Sequence, residues 1–172
     1  AFASKNIRPV LISDREQIWM NLDMIKMESV ISNIITNAIK FIPAEGGKIE
    51  VSIIQEAETV TIQISDTGSG IRHEDLPYVF IRYFQSKNKE RRKDGSGIGL
   101  YIVKKFIELH DGHVSINSAG DKCGTLVTVT LPLSGANCIS SVQNSFQTDQ
   151  QLSLLSGKPI LLIVDDNVEM VT

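Results

Sequence analysis

Residues Met27–Pro43 read MESVISNIITNAIKFIP. Apolar side chains return at Met27, Val30, Ile31, Ile34, Ala38, Phe41 and Ile42, which is helical spacing with one buried face. At 3.6 residues per turn, Asn33, Asn37 and Lys40 project within roughly 60° of one another, on the flank of the apolar stripe. An amide oxygen can ligate a hard cation, and a lysine can neutralise phosphate. By itself the stretch also reads as an amphipathic core helix with a solvated rim. The segments on either side decide between these readings.

Upstream, Ile7–Ile12 and Gln17–Leu22 read as short strands around the polar turn Ser13–Glu16, and Asp23 stands where a helix N-cap belongs. Pro43 and Gly46-Gly47 stop the helix. Lys48–Gln55 and Thr59–Ser65 then alternate apolar and polar residues about a tight connection, as an antiparallel hairpin does.

Asp66-Thr67-Gly68-Ser69-Gly70-Ile71 follows that hairpin directly. Glycines at this spacing let a flat ligand approach the main chain, and Asp66 is a fixed acceptor for an exocyclic amine. A β-turn with an Asx cap would use the same residues. Arg72–Phe84 reads as a short helix anchored by Phe80, Tyr83 and Phe84. Gln85–Gly97 has no apolar residue and is locally basic, through Lys87, Lys89, Arg91, Arg92 and Lys93. A solvated charge run looks like this, and so does a lid over polyphosphate.

A second helix is expected from Gly97-Ile98-Gly99-Leu100 to about Leu109, with Gly112 as its C-cap, Ile98, Ile102, Phe106 and Leu109 on its apolar face, and Val103 and Ile107 beside it. Its first amides, unobstructed at Gly97 and Gly99, form an anion site. Val114–Ser118 and Thr125–Leu131 make a second hairpin. Ser134–Gly157, rich in serine, glutamine and asparagine, reads as a linker. Lys158–Asn167 reads as a buried-type strand ending in the carboxylate pair Asp165-Asp166.

Composition narrows the class. The chain has 172 residues, 42% of them hydrophobic and 22% charged, enough for one ordinary domain plus a remnant. A net charge of −3 offers no general attraction to nucleic acid or acidic lipid. No apolar run approaches the ~18 residues that span a bilayer, and no signal pattern is seen. Two cysteines, Cys123 and Cys138, leave room for one bridge but make no disulfide framework or zinc site, which favours a reducing cytosol.

The ordered set Asn-x-x-x-Asn-Ala-x-Lys, Asp-x-Gly-x-Gly, an aromatic segment, a basic loop, Gly-x-Gly-x-Gly-Leu and a late Gly-Thr resembles the catalytic ATP-binding domain of sensor histidine kinases. That domain belongs to a superfamily shared with type II topoisomerases, a heat-shock chaperone and mismatch-repair ATPases. The resemblance covers about Ile7–Leu133. It implies a Bergerat-type α/β two-layer sandwich, with a mixed sheet packed on about three helices.

The resemblance also implies roles. Asn37 matches a magnesium-ligating asparagine, Lys40 a phosphate-contacting lysine and Phe41 a ring packed on adenine. Asp66 matches the aspartate that bonds the adenine amine, with Gly68, Gly70 and Ile71 in its turn. Gly95, Gly97, Ile98, Gly99 and Leu100 match the glycine box under the phosphates, and Thr125 a threonine that helps fix adenine. Phe80 and Tyr83 match a phenylalanine pair, Tyr83 and Ile81 being departures from the pattern. Hydrolytic relatives carry a glutamate where this chain has Asn33. An amide has no basic lone pair to take water's proton, which suits a phosphoryl donor.

The expected function is transfer of the γ-phosphoryl of Mg²⁺-ATP to a histidine in two-component signalling. The partners expected are the protein's own dimerisation and phosphoacceptor domain, here missing, and the aspartate of a receiver domain downstream, with no nucleic acid. The full-length protein is expected to be a homodimer, and this part to be the cytoplasmic portion of a membrane-bound sensor. Residues 1–133 would be the catalytic domain, 134–157 a linker and 158–172 the start of a receiver, as in a fragment of a hybrid kinase. None of His73, His110 and His113 stands in the family's acceptor setting, so the acceptor is expected to precede Ala1. Two other readings stay open: an ATPase or protein-serine kinase of the same superfamily, which Asn33 and the tail disfavour, and a nucleotide-binding regulator without turnover.

Overall fold

The structure is a computed structural model that describes residues 5–86, 95–133 and the backbone of 160–163. Most of the basic run, the linker, Cys138 and the acidic pair Asp165-Asp166 lie outside the described residues.

Helix α1 (Met24–Phe41) opens at Asp23, whose carboxylate accepts the Lys26 amide at 3.0 Å and pairs with the Lys26 ammonium. The expected cap is therefore in place. Met27, Val30, Ile34 and Ala38 form the buried stripe. Full burial of one such aliphatic side chain is worth roughly 1.5–3 kcal/mol. Pro43 follows the C-cap Ile42, and the exit carbonyls are all engaged. Ile42 N–H donates to Ala38 O at 3.0 Å and Ser69 N–H to Phe41 O at 3.1 Å. Lys5 Nζ donates to Ile39 O, Lys40 O and Ile42 O at 2.7, 3.2 and 3.0 Å. These are the groups a helix end leaves without intrahelical partners.

The stripe packs on a five-stranded mixed sheet. Its strands are β1 (Ile7–Ser13), β3 (Gly47–Gln55), β4 (Thr59–Asp66), β6 (Thr125–Pro132) and β5 (His113–Asn117), in that spatial order. β1 runs parallel to β3, from Ile7↔Gly47 to Ser13↔Ile53, and the other pairs are antiparallel. Pro9 is tolerated because β1 is an edge strand. Val60, Ile62 and Ile64 of β4 and Val127, Val129 and Leu131 of β6 face the helices. Their neighbours Thr61, Gln63, Thr128 and Thr130 lie between them in the alternation of a one-sided sheet. Both expected hairpins are present. β2 (Gln17–Met20) lies outside this sheet and pairs antiparallel with β7 (Ile160–Ile163), Trp19 opposite Leu161.

Helix α2 (Gly99–Glu108) lies beside α1, and two expectations about it need correction. Val103 and Ile107 are its buried residues, while Leu109 is 68% exposed. The apolar stripe is wide, and packing between α1 and β5 selects its other edge. At its end Asp111, at φ 54°, takes the left-handed position, and its N–H donates to Glu108 O at 3.1 Å. Gly112 is one residue further, its N–H donating to Ile107 O at 3.0 Å. This paired capping pattern puts Gly112 after the left-handed residue and not on it.

The third helix is not formed. Arg72–Phe84 holds only a three-residue 3₁₀ turn, Leu76–Tyr78. Pro77 supplies no amide there, and bonds of the i→i+3 kind follow, Tyr78 to Asp75, Ile81 to Tyr78 and Phe84 to Ile81. Tyr83 takes φ 64° and donates its N–H to Gly97 O at 2.8 Å. Of the three expected anchors, Phe80 packs on the core and Phe84 faces the cavity described next. Tyr83 is 60% exposed, with the Arg82 guanidinium 4.7 Å from its ring centre.

Candidate functional site

Between α1, the end of β4 and the start of α2 lies a cavity of about 380 Å³. Four separated parts of the chain meet there. From α1 come Asn33, Asn37, Lys40 and Phe41. From the turn after β4 come Asp66, Gly70 and Ile71. From the glycine-rich entry to α2 come Gly95, Gly97, Gly99 and Leu100, and β6 adds Thr125. Ile64, Ala38, Ile116 and Val127 supply apolar wall. Of the expected site residues, only Gly68 and Ile98 do not line it. Gly68 shapes the turn by donating its N–H to Asp66 Oδ1 at 2.7 Å. Ile98 is the N-cap of α2, its carbonyl accepting the Ile102 amide at 3.0 Å.

Asp66 closes β4 opposite Thr125. Burial pushes its carboxyl above the ordinary value, and the amides of Gly68 and Thr125 pull it partly back. Gly70, at φ 69°, lies against the loop between β5 and β6, where a Cβ would stand 2.0 Å from Gly120 O. No other residue fits there. The next residue, Ile71, donates its N–H to Ser118 Oγ at 2.9 Å, and Ser118 Oγ donates to Gly124 O at 2.7 Å. Ser118 is buried and fastens the Asp66 turn to the last hairpin. Sequence reasoning missed it, since a serine at a strand end gives no local signal.

On α1 the two amides stand one turn apart. Asn33 Nδ2 donates to Ser29 O at 2.7 Å and to Ser29 Oγ at 3.3 Å. A carbonyl only accepts, so this bond fixes the amide orientation and turns Oδ1 towards Gly99. Lys40 Nζ lies 5.3 Å from the centre of the Phe41 ring. The α1 side of the cavity therefore offers the Asn33 amide oxygen, the Asn37 amide and a cation, its apolar wall accepts a flat ring, and the entry to α2 offers backbone amides. That combination fits a polyphosphate carrying an aromatic base.

Sequence reasoning also missed Arg72, Asp75 and Ser86, which line the wall between the Asp66 turn and the glycine box. Asp75 Oδ2 accepts from Arg72 Nε at 3.2 Å, Arg72 Nη2 at 3.1 Å and Ser86 Oγ at 2.8 Å. Asp75 and Arg72 are a local pair three residues apart, but Ser86 reaches them only through the irregular fold of 76–84. No periodicity announces it.

Residues 22–135 match the family described as "Histidine kinase-, DNA gyrase B-, and HSP90-like ATPase". Over 124 residues the chain is 37% identical to the sensor histidine kinase WalK of Bacillus subtilis, covering 70% of this chain and 20% of WalK. It is 36% identical over 121 residues to the heme sensor protein HssS of Staphylococcus saprophyticus, covering 70% of this chain and 25% of HssS. To the autoinducer 2 sensor kinase/phosphatase LuxQ of Vibrio vulnificus it is 32% identical over 156 residues, 86% of this chain and 18% of LuxQ. The chain thus spans a quarter or less of each of these relatives. The mycobacterial sensor histidine kinase MprB superposes with a TM-score of 0.65 at 27% identity, covering 76% of this chain and 84% of that one. The nucleotide-free catalytic domain of the histidine kinase ThkA gives 0.67 at 24% identity over 77% of this chain and 84% of that one, a likeness of fold. Motif order, sheet topology and these matches agree, and the chain belongs to the histidine kinase-, DNA gyrase B- and HSP90-like ATPase family as a histidine-kinase ATP-binding catalytic domain.

Proposed function

We propose that this domain binds Mg²⁺-ATP and donates its γ-phosphoryl group to a histidine on a separate helix, and does not hydrolyse the nucleotide. The observation that carries the reading is the makeup of the cavity wall on α1. Asn33, Asn37 and Lys40 line it together, and no carboxylate of that helix does. Among the described residues, the two carboxylates that line the cavity, Asp66 and Asp75, are at the adenine turn and beside Arg72. An amide held by Ser29 cannot serve as a base towards water. Transfer then depends on positioning the phosphates in line with the incoming imidazole, which is how phosphoryl transfer is mostly catalysed.

In this reading Asp66 accepts the adenine amine, Phe41 packs on the ring, and Thr125 fixes its edge with Gly68, Gly70 and Ile71 shaping the turn. Gly95, Gly97, Ile98, Gly99 and Leu100 present amides to the phosphates at the start of α2. Lys40 neutralises a phosphate. The donor set fits magnesium: among the described residues no three His, Cys, Asp or Glu side chains gather, but a hard ion can take Asn37 Oδ1 together with phosphate oxygens and water. When bound, the ion neutralises charge developing between the β- and γ-phosphates.

The wider setting belongs to the same proposal. Residues 1–133 form the catalytic domain, 134–157 a linker, and 158–172 the start of a receiver whose aspartate takes the phosphate onward. The acceptor histidine lies on the protein's own dimerisation domain, in a homodimeric sensor whose catalytic part faces the cytoplasm. No helix among the described residues is long and apolar enough to cross a membrane. Incubation with γ-labelled ATP and a separately expressed acceptor-histidine helix pair tests the reaction. Label on the helix pair supports the proposal. Steady phosphate release without it indicates a hydrolase, and binding with neither indicates a regulator.

A further inference from the structure

We infer that Asp75 is a ribose-recognition residue, its Oδ1 accepting a hydrogen bond from a sugar hydroxyl of the bound nucleotide. The inference rests on the ATP-binding reading and adds a specificity determinant to the same cavity.

Asp75 is 9% exposed and, with Ser118, one of two buried polar residues among the described residues. Its two oxygens are used unequally. Oδ2 takes all three bonds, from Arg72 Nε, Arg72 Nη2 and Ser86 Oγ. Oδ1 receives none from the described residues, although an ionised carboxylate has sites for about four donors. Fully buried polar side-chain atoms without a partner do not occur among the described residues, so Oδ1 keeps some access to solvent. Asp75 lines the cavity, within reach of a ligand bound there.

Chain connectivity locates this wall along the ligand. Arg72 directly follows Ile71 of the adenine turn. On the other side Gln85, next to Ser86, donates its Nε2 to Gly95 O at 2.5 Å, at the mouth of the glycine box. Asp75 joins these two places. A nucleotide with its base at Asp66 and its phosphates at Gly95–Gly99 carries its sugar past Asp75. The only donors a ribose presents there are its hydroxyls. Arg72 explains how a carboxylate can stand beside a polyphosphate: its guanidinium grips Oδ2 by two nitrogens, offsetting the charge while leaving Oδ1 to accept. Nη1 of Arg72 pairs with Glu74, which is 67% exposed on the outer side.

The test is equilibrium titration of the full chain with ATP, 2′-deoxy-ATP and 3′-deoxy-ATP. One deoxy nucleotide should bind about tenfold more weakly than ATP, the usual loss of a hydrogen bond to a charged acceptor. Asp75→Ala should bind ATP as weakly as wild type binds that analogue, with no discrimination left. Glu74→Ala, which removes only the outer partner of Arg72 and leaves the cavity wall untouched, should keep it. Equal wild-type affinity for all three nucleotides overturns the inference and leaves the ATP reading intact. So does undiminished discrimination by Asp75→Ala. Failure to bind any of the three overturns the ATP reading itself. If Asp75→Ala does not fold, the wild-type series still decides.

Discussion

Gly99 faces Asn33 so closely that a Cβ on the glycine would stand 2.7 Å from Asn33 Oδ1. This is where the glycine box, at the first residue of α2, meets the amide face of α1. Ser29 pins the Asn33 amide from the other side, so the side chain cannot turn aside without losing its bond. Gly99→Ala should destabilise the domain by about 1–3 kcal/mol, as overpacking does. Asn33→Ala should remove most of that loss by vacating the space. A double-mutant cycle in urea checks this, and simple additivity of the two changes would show that the contact is not strained.

Lys5 caps the other end of α1. Its ammonium serves three carbonyls within the last turn, beside Lys40 and Phe41. Bonds from a charged donor are worth roughly 1.5–3 kcal/mol when buried. Lys5 is half-buried, so Lys5→Met should cost about 1–2 kcal/mol. The urea midpoint should fall with the slope unchanged. A chain shortened to 22–135, the family match, lacks both Lys5 and the edge strand β1 and should be less stable still. An unshifted midpoint for Lys5→Met would remove this cap.

Asp66 gives a pH dependence of unusual sign. Its folded carboxyl is raised by burial, so just above the ordinary carboxylate value the folded state binds more protons than the unfolded one. Stability of the empty domain therefore falls as pH rises from that value through the raised one, the reverse of a salt-bridged aspartate. Asp66→Asn should remove this component and stabilise the empty domain at neutral pH. It should also weaken ATP about 10- to 100-fold, because the ionised acceptor is lost. Wild-type affinity should drop on acidification through the raised pKa by more than that of Asp66→Asn. Parallel pH curves for the two proteins would contradict this.

What the sequence disclosed and what it hid divide along the range of the interactions. The α1 stripe from Met27 to Ala38 and the alternation from Val60 to Ile64 are local, and both elements stand where they were expected. The glycine-rich turns, too, carry their own conformational signal. Nothing local tells Ile7–Ser13 to pair in parallel with a strand beyond α1, or β2 to stand outside the main sheet. Arg72–Phe84 has helical composition, but Pro77 and the long-range bond from Tyr83 to Gly97 override it. The same range limit hid Lys5, Ser118 and Ser86. Each acts on a site residue through a partner at least 11 residues away, at separations that spacing arguments do not reach.

The last expectation concerns the C-terminal side of the domain. The five sheet strands and both helices all lie within residues 5–133, and Leu133 N–H ends the sheet by donating to Glu58 O at 2.8 Å. β7 touches this body through β2 alone in pairing terms, and β2 holds itself to the domain by Ile18 and Met20, which belong to the core cluster. Among the described residues, none beyond Val127 lines the cavity. A chain ending at Leu133 should therefore fold and bind ATP with affinity within about twofold of the full chain, a difference under 0.5 kcal/mol. The amides of β2 should exchange faster, having lost their strand partner, while those of β3, β4 and β6 keep their protection. Removing the apolar tail strand should also reduce self-association at high concentration. If the shortened chain unfolds or loses nucleotide, the tail is part of the domain and the boundary near Ser134 is misplaced.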